Sequence, residues 1–268
     1  MRLVPGSTDK PLGGALATGA RGIDHLASTG VEEALLCWFA QTGRDLPWRR
    51  TRDPYAILVS EVMLQQTQVG RVVPRFITWL ERWPTVESLA AASPADVIRA
   101  WQGLGYNRRA VNLHRAAERI AREGWPDDLT HLPGVGRYTA DAIARFAFSA
   151  PVLPQDTNVR RVQERTRAEF GPASAAALMD LGATICLARV PRCGRCPLAF
   201  GCPSRGHRFE PLRRQGRFQG SFRQRRALLL REIAERPRGV NELDEQIVSA
   251  LEKDGLVAVE HGIVRLPT

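Results

Sequence analysis

Lysine is almost missing from this sequence. Of 38 basic residues only Lys10 and Lys253 are lysine, and none stands between them. The body of the chain therefore has no lysine amine with which to form a Schiff base. Long apolar runs are missing as well, so no segment reads as a membrane span. The opening stretch MRLVPGSTDKPLGGALATGARGID lacks the continuous apolar segment of a secretory signal. Its Gly, Ser, Thr and Ala predict a disordered tail over residues 1–30, and the expected location is cytoplasmic. Strand-like alternation is nearly absent before residue 250, which excludes a sheet-based body and leaves an all-α one.

What is present is arginine and helical periodicity. The formal charge of +10 on 268 residues points to a polyanionic partner, although an arginine-rich composition alone gives the same sign. Apolar spacing predicts helices over Val31–Thr42 and over residues 55–82, the latter with a break near Gln68–Gly70. Ser93-Pro94 starts another, Asn107–Arg122 is amphipathic and arginine-rich, and LPGVG (132–136) opens a helix reaching about Ala150. Further helices follow Asp156 and span roughly Ala173–Cys186. After an Arg/Gly/Pro/Gln-rich linker come two helices (223–235 and 241–253) and two short apolar stretches joined at His261-Gly262. Helix, helix, hairpin suits a winged-helix-like module, or equally an appendage that covers the core.

Four cysteines, Cys186, Cys193, Cys196 and Cys202, fall in a C-x6-C-x2-C-x5-C pattern. A reducing cytoplasm disfavours disulfides, and four thiolates this close suit a tetrahedral zinc or a cubane iron–sulfur cluster. Arg189, Arg192 and Arg195 inside the loop make it a candidate phosphate contact, whereas Cys37 on an apolar helix face reads as a core residue. Gly134 and Gly136 stand just ahead of a helix N-terminus, where backbone amides can hold a phosphate oxygen. Arg108, Arg109 and Arg115 precede them on a basic helix. Two carboxylates draw notice. Glu61 lies among apolar neighbours in SEVMLQQTQV, and Asp156 lies at a predicted helix start in PQDTNVRRV. Taken alone, the first is a solvated helix residue and the second a cap.

The order of the motifs changes that weighting. SEVMLQQTQV, GLGYNRRAVNLH, LPGVGRYTADAI, DTNVRRV, LMDLGATIC and the cysteine loop resemble, from about Leu46 to Cys202, the MutY-type adenine DNA glycosylases. These belong to the helix-hairpin-helix, iron–sulfur glycosylase superfamily. The tail, FQGSFRQRRALLLREI through GLVAVEHGIVRLP, resembles the short C-terminal module of actinobacterial members.

The resemblance implies a six-helix barrel domain with the helix-hairpin-helix (54–150) and an iron–sulfur cluster domain (31–53 and 151–205). A linker (206–222) and the winged-helix-like module (223–268) follow. It implies a [4Fe–4S] cluster on Cys186, Cys193, Cys196 and Cys202. It makes Glu61 the acid that protonates adenine and Asp156 the stabiliser of the oxocarbenium-like sugar, with Tyr138 near the sugar and Asn158 supporting Asp156. Trp48, Arg49, Leu64, Gln66 and Val69 would line the base pocket. Gln65, Tyr106, Arg108, Gly134, Val135, Gly136 and Arg137 would meet DNA.

Strand-nicking relatives carry lysine where Tyr138 stands, so a monofunctional enzyme is expected. The partner implied is duplex DNA with a mispaired or damaged base, most simply adenine opposite 8-oxoguanine or guanine, bound by a nucleoid-associated monomer away from membranes. Some positions depart from the family. No carboxylate stands near Ala176, the Arg167–Ala175 connection is short, Asn107 replaces a tyrosine, Gln155 replaces an apolar residue, and no separate 8-oxoguanine-reading domain follows. These keep two alternatives in play: a mismatch glycosylase removing thymine, uracil or hypoxanthine, and a non-catalytic DNA-binding protein.

Overall fold

The computed structural model describes residues 20–210 and 216–268, which hold eleven α-helices and one three-stranded sheet. Helix α1 (Ala20–Thr42) starts well before Val31, so the tail expected over 1–30 is corrected: residues 20–30 are helical. The remainder of that stretch, residues 1–19, lies outside the described residues.

Six helices wrap the largest core: α2 (Pro54–Leu64), α3 (Val69–Arg82), α4 (Val86–Ala90), α5 (Pro94–Trp101), α6 (Arg108–Glu123) and α7 (Arg137–Phe146). Helix α2 is apolar nearly all round and so runs through the middle, burying Tyr55 to Met63. Asp53 starts it, accepting from the Tyr55 and Ala56 amides at 3.0 and 3.3 Å, with Pro54 in the first turn.

The break expected near Gln68–Gly70 falls earlier, at residues 65–68. Two observations explain the shift. Gln66 takes a left-handed φ of 56°, and the Val62 and Met63 carbonyls accept from the Arg109 guanidinium instead of the next helical turn.

Helices α1, α8 (Thr157–Thr166) and α9 (Ala175–Thr184) form a second core around Leu35, Val159, Val162, Leu178 and Leu181. Cys37 is not part of it. Two residues along from buried Leu35, it lands on the opposite, exposed side of α1, where its Sγ accepts from Gln41 Nε2. The short Arg167–Ala175 connection is tied back by Glu32 of α1, whose Oε1 accepts from the Gly171 amide at 2.8 Å and Ser174 Oγ at 2.7 Å.

The third core joins α10 (Phe222–Glu235), α11 (Glu245–Lys253) and the antiparallel strands β1 (Arg238–Gly239), β2 (Ala258–Glu260) and β3 (Ile263–Arg265), in the order β1-β3-β2. Helix α11 begins later than residue 241 because Asp244 caps it, accepting from the Ile247 amide. Ile98 of α5 is buried inside this third core, so the C-terminal module shares a hydrophobic seam with the barrel. Eight basic and eight acidic residues lie in 223–268, which leaves the module no formal net charge. Within the expected linker 206–222, residues 211–215 lie outside the described residues.

Candidate active site and cysteine cradle

One cleft opens between the barrel and the α8–α9 layer. Glu61, Tyr138, Asp156 and Asn158 line it together with Trp48, Arg49, Leu64, Gln65, Gln66 and Val69. The four residues expected to do chemistry and the expected base-pocket residues thus share one space. Tyr106 and Arg108 lie outside its lining.

Glu61 sits on the cleft side of α2 and is buried. Burial, with the Asp156 charge adding to it, pushes its carboxyl up to about 7, against the pull of a hydrogen bond donated by the Tyr138 hydroxyl. The same burial, and the two carboxylates beside it, push the Tyr138 hydroxyl far above its ordinary range. Asp156 is the N-cap of α8, as its position predicts. Its Oδ1 accepts from the Asn158 and Val159 amides at 2.8 and 2.6 Å, and its Oδ2 from Asn158 Nδ2 at 2.8 Å. Asp156 is therefore more than a cap: one oxygen holds the helix, and the other is fixed by Asn158 at the edge of the cleft.

Asn158 is itself fixed. Its Oδ1 accepts from Arg161 Nη2 at 2.6 Å, and Arg161 also donates to the Gly182 and Cys186 carbonyls, both at 2.7 Å. Gly182 lets α9 come this close, since a Cβ there would stand 2.5 Å from Asn158 Cβ. Arg44 and Arg49, which line the cleft, are held from α9 by Asp180, a buried acid that accepts from both. Burial pulls its carboxyl upward, but those two guanidinium groups outweigh it and hold it below the usual range. Arg49 also lies over the Phe39 ring, and Trp48 packs edge-on against Phe76. Arg161 and Asp180 were missed in the sequence, where an arginine and an aspartate on helices read as solvated charge.

The hairpin shows a division of labour. Gly134 has φ +77° and a Cβ there would stand 2.8 Å from Asn112 Cβ, so this position needs glycine for the turn itself. Gly136 and Arg137 are exposed at the start of α7, where the first amides of a helix are left without intrahelical acceptors. Val135, expected to meet DNA, could do so only through its backbone. Its side chain is buried in the barrel core, and its amide already donates to the Leu132 carbonyl. Arg108 is exposed and stands 3.6 Å from Asp254 of the C-terminal module, whereas Arg109 is buried, so the basic helix presents fewer charges than its composition promises.

Cys186, Cys193, Cys196 and Cys202 line a single cavity with Val162, Leu181, Ile185 and Arg165. Two donors already point at sulfur: Arg165 Nη1 stands 3.5 Å from Cys186 Sγ, and the Gly206 amide stands 3.4 Å from Cys193 Sγ. Burial, with the other three thiols adding to it, pushes the Cys196 thiol up to about 11. Among the described residues no three metal-binding side chains meet closely enough to share one ion. The four thiols line one small space between apolar walls. Donor type, apolar walls and N–H groups aimed at sulfur all fit the iron–sulfur cluster expected there.

The chain is similar to known DNA glycosylases in sequence and in fold. The HhH-GPD superfamily of base excision DNA repair proteins matches residues 59–178. An adenine DNA glycosylase of Mycolicibacterium smegmatis is 47% identical over 230 residues, covering 73% of this chain and 78% of that one. The Homo sapiens adenine DNA glycosylase is 38% identical over 216 residues, covering 66% of this chain and 40% of its own. Among solved structures, a thermostable thymine-DNA glycosylase superposes with a TM-score of 0.61 at 25% identity, over 67% of this chain and 96% of that one. A DNA-trapped endonuclease III shares the fold, with a TM-score of 0.58 at 22% identity, over 67% of this chain and 95% of its own. By its fold, its paired carboxylates and its relatives, the chain belongs to the adenine DNA glycosylase family of the HhH-GPD superfamily.

Proposed function

We propose that this protein excises adenine mispaired with 8-oxoguanine or guanine from duplex DNA, as a monofunctional glycosylase acting as a monomer. The observation that carries the reading is the buried Glu61, a carboxyl near 7 facing Asp156 across one cleft. Adenine leaves poorly as an anion, so the base must be protonated at N7 as the glycosidic bond breaks. Glu61 holds that proton near neutral pH. Asp156, fixed by Asn158, sets a carboxylate where positive charge develops on the sugar. Water then adds to C1′, and the proton it loses passes to the Glu61 carboxylate and restores the acid. The base must leave the stack to reach the cleft, with Trp48, Arg49, Leu64, Gln66 and Val69 lining the space that receives it and Gln65 and Tyr106 on the DNA side. The exposed backbone of Gly134 and Gly136, with Arg108 and Arg137, would hold phosphates.

The four cysteines hold a [4Fe–4S] cluster in this reading, and when bound it cross-links a loop that has no large core of its own. Without lysine over residues 11–252 no lysine lyase step follows excision. Ala176, Met179 and Ala183 in the cleft wall, with no acid among them, favour a second reading as a thymine, uracil or hypoxanthine mismatch glycosylase.

A panel of duplexes decides. Adenine, thymine, uracil or hypoxanthine would be placed opposite guanine, 8-oxoguanine, cytosine or thymine, incubated with enzyme and treated with alkali. Breaks only after alkali, confined to adenine duplexes, are the expected result. Excision of a pyrimidine in preference would overturn the adenine assignment, and strand breaks without alkali would overturn the monofunctional one.

A further inference from the structure

Arg109 is a buried guanidinium whose N–H groups go to uncharged oxygens. Nη1 donates to the Val62 and Met63 carbonyls at 2.7 and 2.9 Å. Nη2 donates to Thr67 Oγ1 at 3.0 Å, to the Gly105 carbonyl at 2.9 Å and to that of Leu104 at 3.5 Å. Nε donates to the Tyr106 carbonyl at 3.3 Å. The Trp101 and Tyr106 rings flank it at 5.2 and 5.7 Å. Two separate loops therefore end on one side chain: the 65–68 turn after α2, and the 103–106 segment before α6. Each loop holds a non-glycine residue in the left-handed region, Gln66 at φ 56° and Tyr106 at φ 48°. Such conformations persist only where the surroundings over-determine them, and Arg109, together with the Thr67 hydroxyl that also reaches the Leu104 carbonyl at 3.4 Å, joins both.

We propose that Arg109 is a positioning residue for base extrusion, its planar fork locking the 65–68 and 103–106 loops into one preformed wedge. The proposal rests on the reading, given above, of Gln65 and Tyr106 as residues that meet DNA. A stacked base must be unpaired before it reaches Glu61, and a rigid wedge makes that step more favourable than a mobile one does. Lysine cannot replace the fork, because a single ammonium lacks the in-plane spread that reaches both loops at once.

The test compares Arg109→Lys and Thr67→Val with wild type on two duplexes of one sequence. In one, the target adenine is paired with 8-oxoguanine. In the other it stands unpaired opposite an abasic-site analogue, so the pairing that extrusion must break is already absent. Single-turnover cleavage of the paired target is expected to fall about a hundredfold in Arg109→Lys and about tenfold in Thr67→Val, with losses within about threefold on the unpaired target. Equal losses on both duplexes would mark a general structural role and overturn the proposal, as would no loss on the paired one. If Arg109→Lys does not fold, Thr67→Val decides by the same comparison. Should wild type cleave neither duplex, the excision reading fails, and 2-aminopurine at the target position then reads the wedge directly. A fluorescence rise with wild type that both variants lack upholds it; an equal rise in all three sinks it.

Discussion

At Glu61 the carboxyl is raised to about 7 chiefly by burial, while Asp156 accepts three N–H groups at the start of α8. Two like groups thus take different parts. An acid must be protonated to act, so single-turnover cleavage is expected to fall as pH rises through about 7, and Glu61→Gln should remove that limb while lowering the rate about a hundredfold or more. Asp156→Asn should slow cleavage by a similar factor yet leave the melting temperature nearly unchanged, because asparagine caps helices as well as aspartate does. Rates like wild type in both variants would refute the assignment. The Glu61 shift also has a sign for stability. Its folded-state value lies above the unfolded one, so its contribution is fully present below about 4.5 and is lost as pH rises through about 7. Glu61→Gln should therefore gain on wild type between pH 5 and 8, by up to about 3 kcal/mol in denaturant titrations. Glu61, Asp156 and the four cysteines were legible in the sequence because motif order singles them out. Arg109, Arg161 and Asp180 were not, since only tertiary packing decides whether a charged helix residue faces water or a neighbour's carbonyls.

Among elements, the hairpin separates folding from binding within three residues. Gly134→Ala forces a Cβ against Asn112 and a strained φ, so it should destabilise the protein by about 1–3 kcal/mol. Gly136→Ala meets nothing within 4 Å inside the protein, so thermal melting should barely change while affinity for duplex DNA falls. Equal melting temperatures for the two variants would contradict this division. In the cysteine loop, anaerobically purified protein should carry about four irons. Cys196→Ser should lose iron and solubility together, whereas stoichiometric zinc in wild type would exclude the cluster. Apolar periodicity carries the helices and ends such as Thr42, Arg82, Glu235 and Lys253, but not the break after α2 or the start of α11. The break after α2 depends on a guanidinium that arrives from α6, and the late start of α11 depends on which of several polar residues becomes the cap.

For the molecule as a whole, charge is uneven. The formal +10 belongs to residues before 223, because the C-terminal module is neutral by count. The sequence pattern left that module between a DNA reader and a covering appendage, and the Ile98 seam favours the second. Removing its exposed charge by Arg231→Gln should then leave the salt dependence of DNA binding unchanged, whereas Arg137→Gln should lower the slope of log K against log salt by about 1. A comparable change from both would restore the module to the DNA-binding surface. The second core closes the chain on itself, α1 packing with α8 and α9 from far along the sequence. On the ribosome this has a temporal meaning. The face of α1 that carries Leu35 emerges early and waits for its partners through more than a hundred further residues, roughly ten seconds of synthesis. The last cysteine appears later still. A cluster on these four cysteines would have to wait until Cys202 has emerged, and a nascent chain stalled before it would be the form most exposed to chaperones and proteases.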